Sequence, residues 1–297
     1  MYKRQAKRSP DFQCASVREK LASAWAELGD IERAIGHYRA ALVMEDAQVS
    51  LQALEQLVKL EARHGARLLA AREEEKRPAG ADFMDQALTR LKLLIDIGAT
   101  AERLSLLASL CKRRAQTILL GGKRTKIEQS LVEMRDAYWR ASEHAHQRTG
   151  EWDYDPLFKA LDGNVLLAAR GRRDDFDARV GQLAGLLQAG TENARRRFAK
   201  NRDFFPALAK VEADRIDALW ACYDGRTQAA IVQPAVLGAL VTAYRNVLKR
   251  QGSDREQDSV VDQLQFLIDM LPAGDESDPV KGALTSLIEG IRTGLSG

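Results

Sequence analysis

The sequence predicts an all-α protein whose helices come in antiparallel pairs and must stack on one another to be stable. Three observations lead there. Large apolar residues recur at helical spacing over most of the chain, single glycines punctuate them at intervals that suit helix ends, and strands find little support. Only 7 prolines are scattered through 297 residues, and the richness in Leu, Ala, Glu and Arg favours helices joined by short connections.

The first pair is the clearest. Leu21, Trp25 and Leu28 lie on one helical stripe, and Ile31, Ile35, Tyr38 and Leu42 on the next, with Gly29-Asp30 as the turn between them. Small Ala22, Ala34 and Ala41 let the two helices approach. Trp25 is expected to be wedged between them, so that Trp25→Ala would cost about 3 to 5 kcal/mol. One such pair buries too little surface to fold alone, and neighbours must stack on it.

On those residues, Leu21 to Asp46 resembles a tetratricopeptide repeat: Leu21, Ala22 and Trp25 stand at the large, small and aromatic positions of its first helix, and Ala34, Tyr38 and Ala41 form the small-aromatic-small stripe of its second. The resemblance implies a right-handed superhelical solenoid. It also implies a job, the binding of another polypeptide.

Further along, residues 47–64 read as the first helix of a second unit through Leu51, Leu54, Leu57, Val58 and Leu60, and residues 83–97 as its second. Between them, residues 66–81 read as a charged insertion, a solvated lobe or loop that Pro78 ends. Residues 102–119 and 127–146 form a third unit, with Met134, Ala137, Tyr138 and Ala141 repeating the stripe of the first. Asp155 and Pro156 suit the cap and first residue of a helix over 156–170, with 174–188 as its partner. Beyond Gly190, helices over 191–201, 206–223, 234–250, 253–270 and 279–295 follow from caps and apolar spacing. The organisation expected is therefore repeats over residues 6–150 and degenerate repeats with a helical cap over 151–297. Met1-Tyr2-Lys3-Arg4-Gln5 looks like the translation of a transposon end from a sequencing library, so residues 1–5 are read as non-native and the native chain as extending further upstream.

Composition narrows the function. The 45 Lys and Arg against 42 Asp and Glu leave a net charge of +3, mixed along helices as on an ordinary solvated surface. Nucleic-acid binding is disfavoured, because only Lys112-Arg113-Arg114, Lys123-Arg124 and Arg195-Arg196-Arg197 approach the concentrated basic face it needs. No run is read as crossing a bilayer and no secretory signal is seen, so a cytoplasmic protein is expected. Cys14, Cys111 and Cys222 lie far apart and suit buried apolar sites better than disulfides.

Chemistry is hard to assemble. Residues 118–125 have the Gly-Lys of a phosphate loop, but the glycine that should stand five residues earlier is missing, Arg124 stands where magnesium needs a hydroxyl and no strand precedes, so the segment is read as an interhelix turn. His144 and His146 point different ways on one helix, His37 and His64 lack catalytic partners, and Glu73-Glu74-Glu75 suits a solvated face. No catalytic residue, cofactor or metal is expected.

The stretches Thr100 to Leu107, Lys112-Arg113 and Asp258 to Leu267 look like a group of bacterial tetratricopeptide proteins similar to the TRAF-binding region of apoptosis-signalling kinases. Such repeats are often joined to caspase-like or other effector domains of defence and signalling systems. By the repeat register, the candidate concave face comprises Glu19 and Ser23 in the first unit and Glu102, Ser105, Ser109 and Lys112 in the third. Family members that clamp a partner's C-terminal carboxylate carry Lys and Asn where this chain has Glu19 and Ser23, so that mode is disfavoured. The expected role is a non-catalytic scaffold, the C-terminal module of a larger signalling or defence protein, whose partner is a protein, a peptide or an upstream domain of the same polypeptide; the alternative is a self-associating structural module, with a homo-oligomer possible.

Overall fold

The computed structural model describes residues 14–44, 50–70, 74–120, 127–274 and 277–295. Among them all regular structure is helical, in two compact units, residues 1–120 and 121–297. Residues 1–5, read above as non-native, lie outside the described set, as do 121–126 of the turn that resembles a phosphate loop. The helices expected as a third pair fall one in each unit.

In the first unit, α1 (Ala15–Glu27) and α2 (Ile31–Leu42) are joined as the glycine predicts. Gly29 sits at φ +80°, a conformation that costs a side-chain-bearing residue dearly. Its N–H donates to the Ala26 carbonyl, the Asp30 N–H donates to Trp25 O, and the Asp30 carboxylate then caps α2 by accepting from the Arg33 N–H. Ala22, Ile31, Ile35 and Tyr38 of this pair meet Ala53 and Leu57 of the next helix in one core.

The Trp25 expectation is corrected. The helices meet through fully buried Ala22, Ala34 and Ala41, and the indole is left at their margin, half-buried beneath the Arg33 guanidinium at 4.6 Å. Leu21 and Leu28, on the same stripe, are 37% and 75% exposed.

α3 (Leu51–Ala70) and α4 (Arg77–Ile97) form a longer hairpin, with a 3-10 turn at Glu74–Lys76. α3 does not stop at His64-Gly65, and Pro78 opens α4 instead of ending a lobe, since the first turn of a helix has no need of the N–H that proline lacks. Gly65 and Gly80 are packing residues, each facing the other's backbone. α5 (Ala101–Leu120) lies against both α3 and α4.

The second unit is organised around α7 (Tyr154–Ala168), of which all residues but Asp155 and Lys159 are buried. A helix apolar all round needs neighbours all round. It has them in α6 (Ile127–Thr149), α8 (Asp174–Arg179), α9 (Leu183–Asn201), α10 (Phe204–Trp220) and α12 (Asp254–Met270). The cap of α7 is Asp153, which accepts from the Asp155 N–H, two residues earlier than the Asp155-Pro156 reading. Gly190 does not end a helix. It lies inside α9, where a Cβ would come within 2.6 Å of the Phe158 ring, so the glycine lets α9 close on α7.

α11 (Pro234–Gln251) and α13 (Asp278–Leu295) pack together, and α10 packs on α11. The reading that no run could cross a bilayer is also corrected: by length and composition Thr227–Gln251 could, an 18-residue window within it having a mean hydropathy of 1.3. Ala235 and Ala239 raise that mean while staying exposed, and Leu240, Tyr244 and Leu248 face the core of the unit. Of the cysteines only Cys111 is fully buried; Cys14 and Cys222 are half-buried, and none of the three is in a disulfide.

Candidate binding face

The first helices of the pairs, α1, α3 and α5, are brought side by side in the first unit by two polar contacts near their N-terminal ends. The Glu19 carboxylate on α1 accepts from the Ser50 N–H at 3.0 Å and the Ser50 hydroxyl at 3.2 Å, just before α3 begins. Five residues later Glu55 of α3 pairs with Arg103 of α5 at 2.9 Å. Arg103 also donates to the Leu94 and Gly98 carbonyls at 3.0 and 2.5 Å, a second bond for Leu94 O, which the Gly98 N–H already reaches, and a partner for Gly98 O beyond the end of α4. Both contacts join like ends, so the three helices run parallel.

The six candidate residues fall into two sets on either side of α3. Glu19 is half-buried and occupied with Ser50, so it holds the stack together as much as it faces a partner. Ser23 is exposed and reaches the hydroxyl of Tyr38, whose pKa is pushed up by burial and by Glu19. Glu102, Ser105, Ser109 and Lys112 share one side of α5: Glu102 is exposed, the other three are half-buried, and the Ser109 hydroxyl bonds back to the Ser105 carbonyl.

Sequence reasoning predicted the helix between them but put none of its residues on the face. On α3, Gln52, Gln56, Lys59 and Arg63 recur at helical spacing and are exposed or half-exposed. They lie opposite Glu61, which points at the second helices, and so join the two candidate sets into one polar face. The signal was present in the polar residues four and three apart that alternate with Leu54, Leu57 and Val58. Lys59 and Arg63 have no ionic partner among the described residues, so the face carries cationic side chains toward the C-terminal end of α3.

Behind this face lies a network of a different kind. Glu61 is fully buried and takes Arg39 from α2 at 2.8 Å and Arg90 from α4 at 2.7 and 2.9 Å. Arg39 also covers the Phe83 ring at 4.7 Å, and His64 meets that ring edge-on. A carboxylate so placed is tolerable only because two guanidinium groups answer it. His64 and His37 are both held below the ordinary histidine value, chiefly by burial, with the Arg18 charge adding to the effect on His37.

In the second unit the buried polar groups are again structural. Arg215 is clamped between Asp162, at 2.8 and 3.0 Å, and Glu212, which also accepts from the Tyr244 hydroxyl at 2.7 Å. His146 stacks on Trp152 with ring centroids 4.5 Å apart. Neither arrangement aims a titratable group at a cleft.

Residues 30–157 match the family model described as Tetratricopeptide Repeats-Sensor. Over that stretch the chain is a tetratricopeptide-like helical repeat, a type of domain that is generally non-catalytic and mediates protein–protein interactions. No curated protein matches the chain.

Proposed function

We propose that the first unit is a protein-interaction scaffold that takes a polypeptide segment across α1, α3 and α5, within a bacterial signalling or defence protein of the cytoplasm. One observation carries the reading: three parallel first helices, pinned by Glu19–Ser50 and Glu55–Arg103, present a polar face on which Ser23, Gln56, Lys59 and Ser105 face outward. Lys59 and Arg63 give it a preference for an acidic segment, because exposed cations steer association more than they add affinity. Behind it the Glu61–Arg39–Arg90 network and the apolar core tie α2, α3 and α4 together.

Site-specific photocrosslinking tests this. A benzophenone side chain placed singly at Ser23, Gln56 or Ser105 should capture one and the same polypeptide, and at Thr89, exposed on α4, it should not. Capture at Thr89 alone, or a different adduct at each position, would refute the reading. Self-association is the second reading, favoured by the exposure of Leu21 and Leu28 on α1. A sedimentation mass that rises with concentration in wild type and stays at the monomer value in Leu21→Gln/Leu28→Gln would establish it instead.

A further inference from the structure

The second unit holds an open cleft of about 410 Å³ between α9, α10 and α11, outside the residues the scaffold reading uses. Its volume is that of a small-molecule site. Phe198, Pro206 and Val247 supply an apolar floor, and the only charged side chains lining it are cations, Arg195, Lys210 and Arg250.

Two of those cations are already answered. Arg195 is held by Glu192 in a two-bonded pair at 2.9 and 3.0 Å, and Lys210 is paired with Asp214. Arg250, exposed in the last turn of α11, has no ionic partner among the described residues. Among the lining cations and their partners, three positive and two negative charges therefore leave one positive charge, over an apolar floor whose Phe198 ring also carries the Arg202 guanidinium at 5.2 Å. The amides of Asn246 and Gln251 line the same cleft and can donate to an oxygen held at Arg250.

We propose that this cleft binds an organic monoanion, a carboxylate carried on an aromatic or branched apolar body, with the carboxylate at Arg250 and the body against Phe198 and Val247. A guanidinium meets a carboxylate with two parallel hydrogen bonds, which favours this anion over a halide. The same chemistry occurs in a free small acid and in the last residue of a peptide. Because the site is open and its charges are exposed, a Kd of about 1 mM is expected for a ligand of amino-acid size.

Titration of the full chain with N-acetyl-phenylalanine, followed by amide chemical shifts, tests it. Saturable shifts should appear at Phe198, Val247 and Arg250. N-acetyl-phenylalaninamide, which lacks the charge, and the Arg250→Gln variant should each bind at least about tenfold more weakly, a loss in keeping with one charged hydrogen-bonded pair. Arg250 is exposed, so its variant should keep the wild-type spectrum elsewhere. Equal binding of acid and amide, undiminished binding by Arg250→Gln, or shifts that never saturate would overturn the proposal. A peptide ending in phenylalanine with a free carboxylate identifies the source: tighter binding than the free acid assigns a peptide C-terminus, and equal or weaker binding assigns a small acid. Lys59→Ala and Arg63→Ala should change none of this, so the cleft stands or falls apart from the scaffold face.

Discussion

Gly65 and Gly80 face each other across the α3–α4 hairpin so closely that a Cβ on the first would stand 2.8 Å from the carbonyl oxygen of the second, and a Cβ on the second 2.9 Å from that of the first. Real side chains do not approach backbone oxygen in this way. Gly65→Ala should therefore destabilise the first unit by about 1 to 3 kcal/mol, as overpacking does. Gly36→Ala is the control: nothing lies within 4 Å of a Cβ there, and an exposed helical alanine should stabilise by about 0.5 to 1 kcal/mol. Urea midpoints that move the same way in both variants would show the close crossing to be wrong.

Removing Glu61 should be far worse than removing the whole network. Glu61→Ala strands two guanidinium groups beside the core and should cost about 3 to 5 kcal/mol. Replacing all three members, in Glu61→Leu/Arg39→Met/Arg90→Met, should recover most of that loss. Equal stability of the single and triple variants in a denaturant titration would contradict the assignment.

Acid should weaken the first unit through its histidines. A histidine whose folded pKa lies below its unfolded value of about 6.5 binds fewer protons in the folded state, so its contribution is intact above that value and lost as pH falls through it. Burial places both His64 and His37 in this class. Between about pH 7.5 and about pH 5.5 the wild-type urea midpoint should fall by more than that of His37→Gln/His64→Gln. Parallel falls would place the acid sensitivity elsewhere.

Two tryptophans should separate sharply. Trp25 lies half-buried under Arg33, so Trp25→Ala should cost about 1 to 2 kcal/mol, below the figure its repeat position suggests. Trp220 is fully buried, stacked on Phe176 at 4.1 Å, with its indole N–H donating to the Leu161 carbonyl at 3.3 Å. Trp220→Ala should cost about 3 to 5 kcal/mol. A larger loss at Trp25 than at Trp220 in thermal unfolding would reverse this account of the packing.

Helix type and rough extent were legible because apolar spacing reports the period directly, and α5 and α10 to α13 lie within a few residues of where their caps and stripes put them. The glycines were not. Gly65 and Gly190 carry the same letter as the turn-forming Gly29, and only the neighbouring backbone or ring reveals that they serve close packing within a helix. Repeat register could not tell that Glu19 is bound to Ser50, since that partner is 31 residues away. Glu61, Arg39 and Arg90 were invisible for the same reason: each is an ordinary helical surface residue until three helices bring them together.

Arg103 bears on how the chain is cut. The glycine at position 98 marks an inviting boundary, and a fragment ending there would keep both complete helix pairs. It would also lose the guanidinium that covers the Leu94 and Gly98 carbonyls and ties down Glu55. A repeat in this protein is thus closed by the first turn of the helix that follows it, and expression fragments should be trimmed beyond residue 103, where the stack ends chemically, and not at the turn, where it ends to the eye.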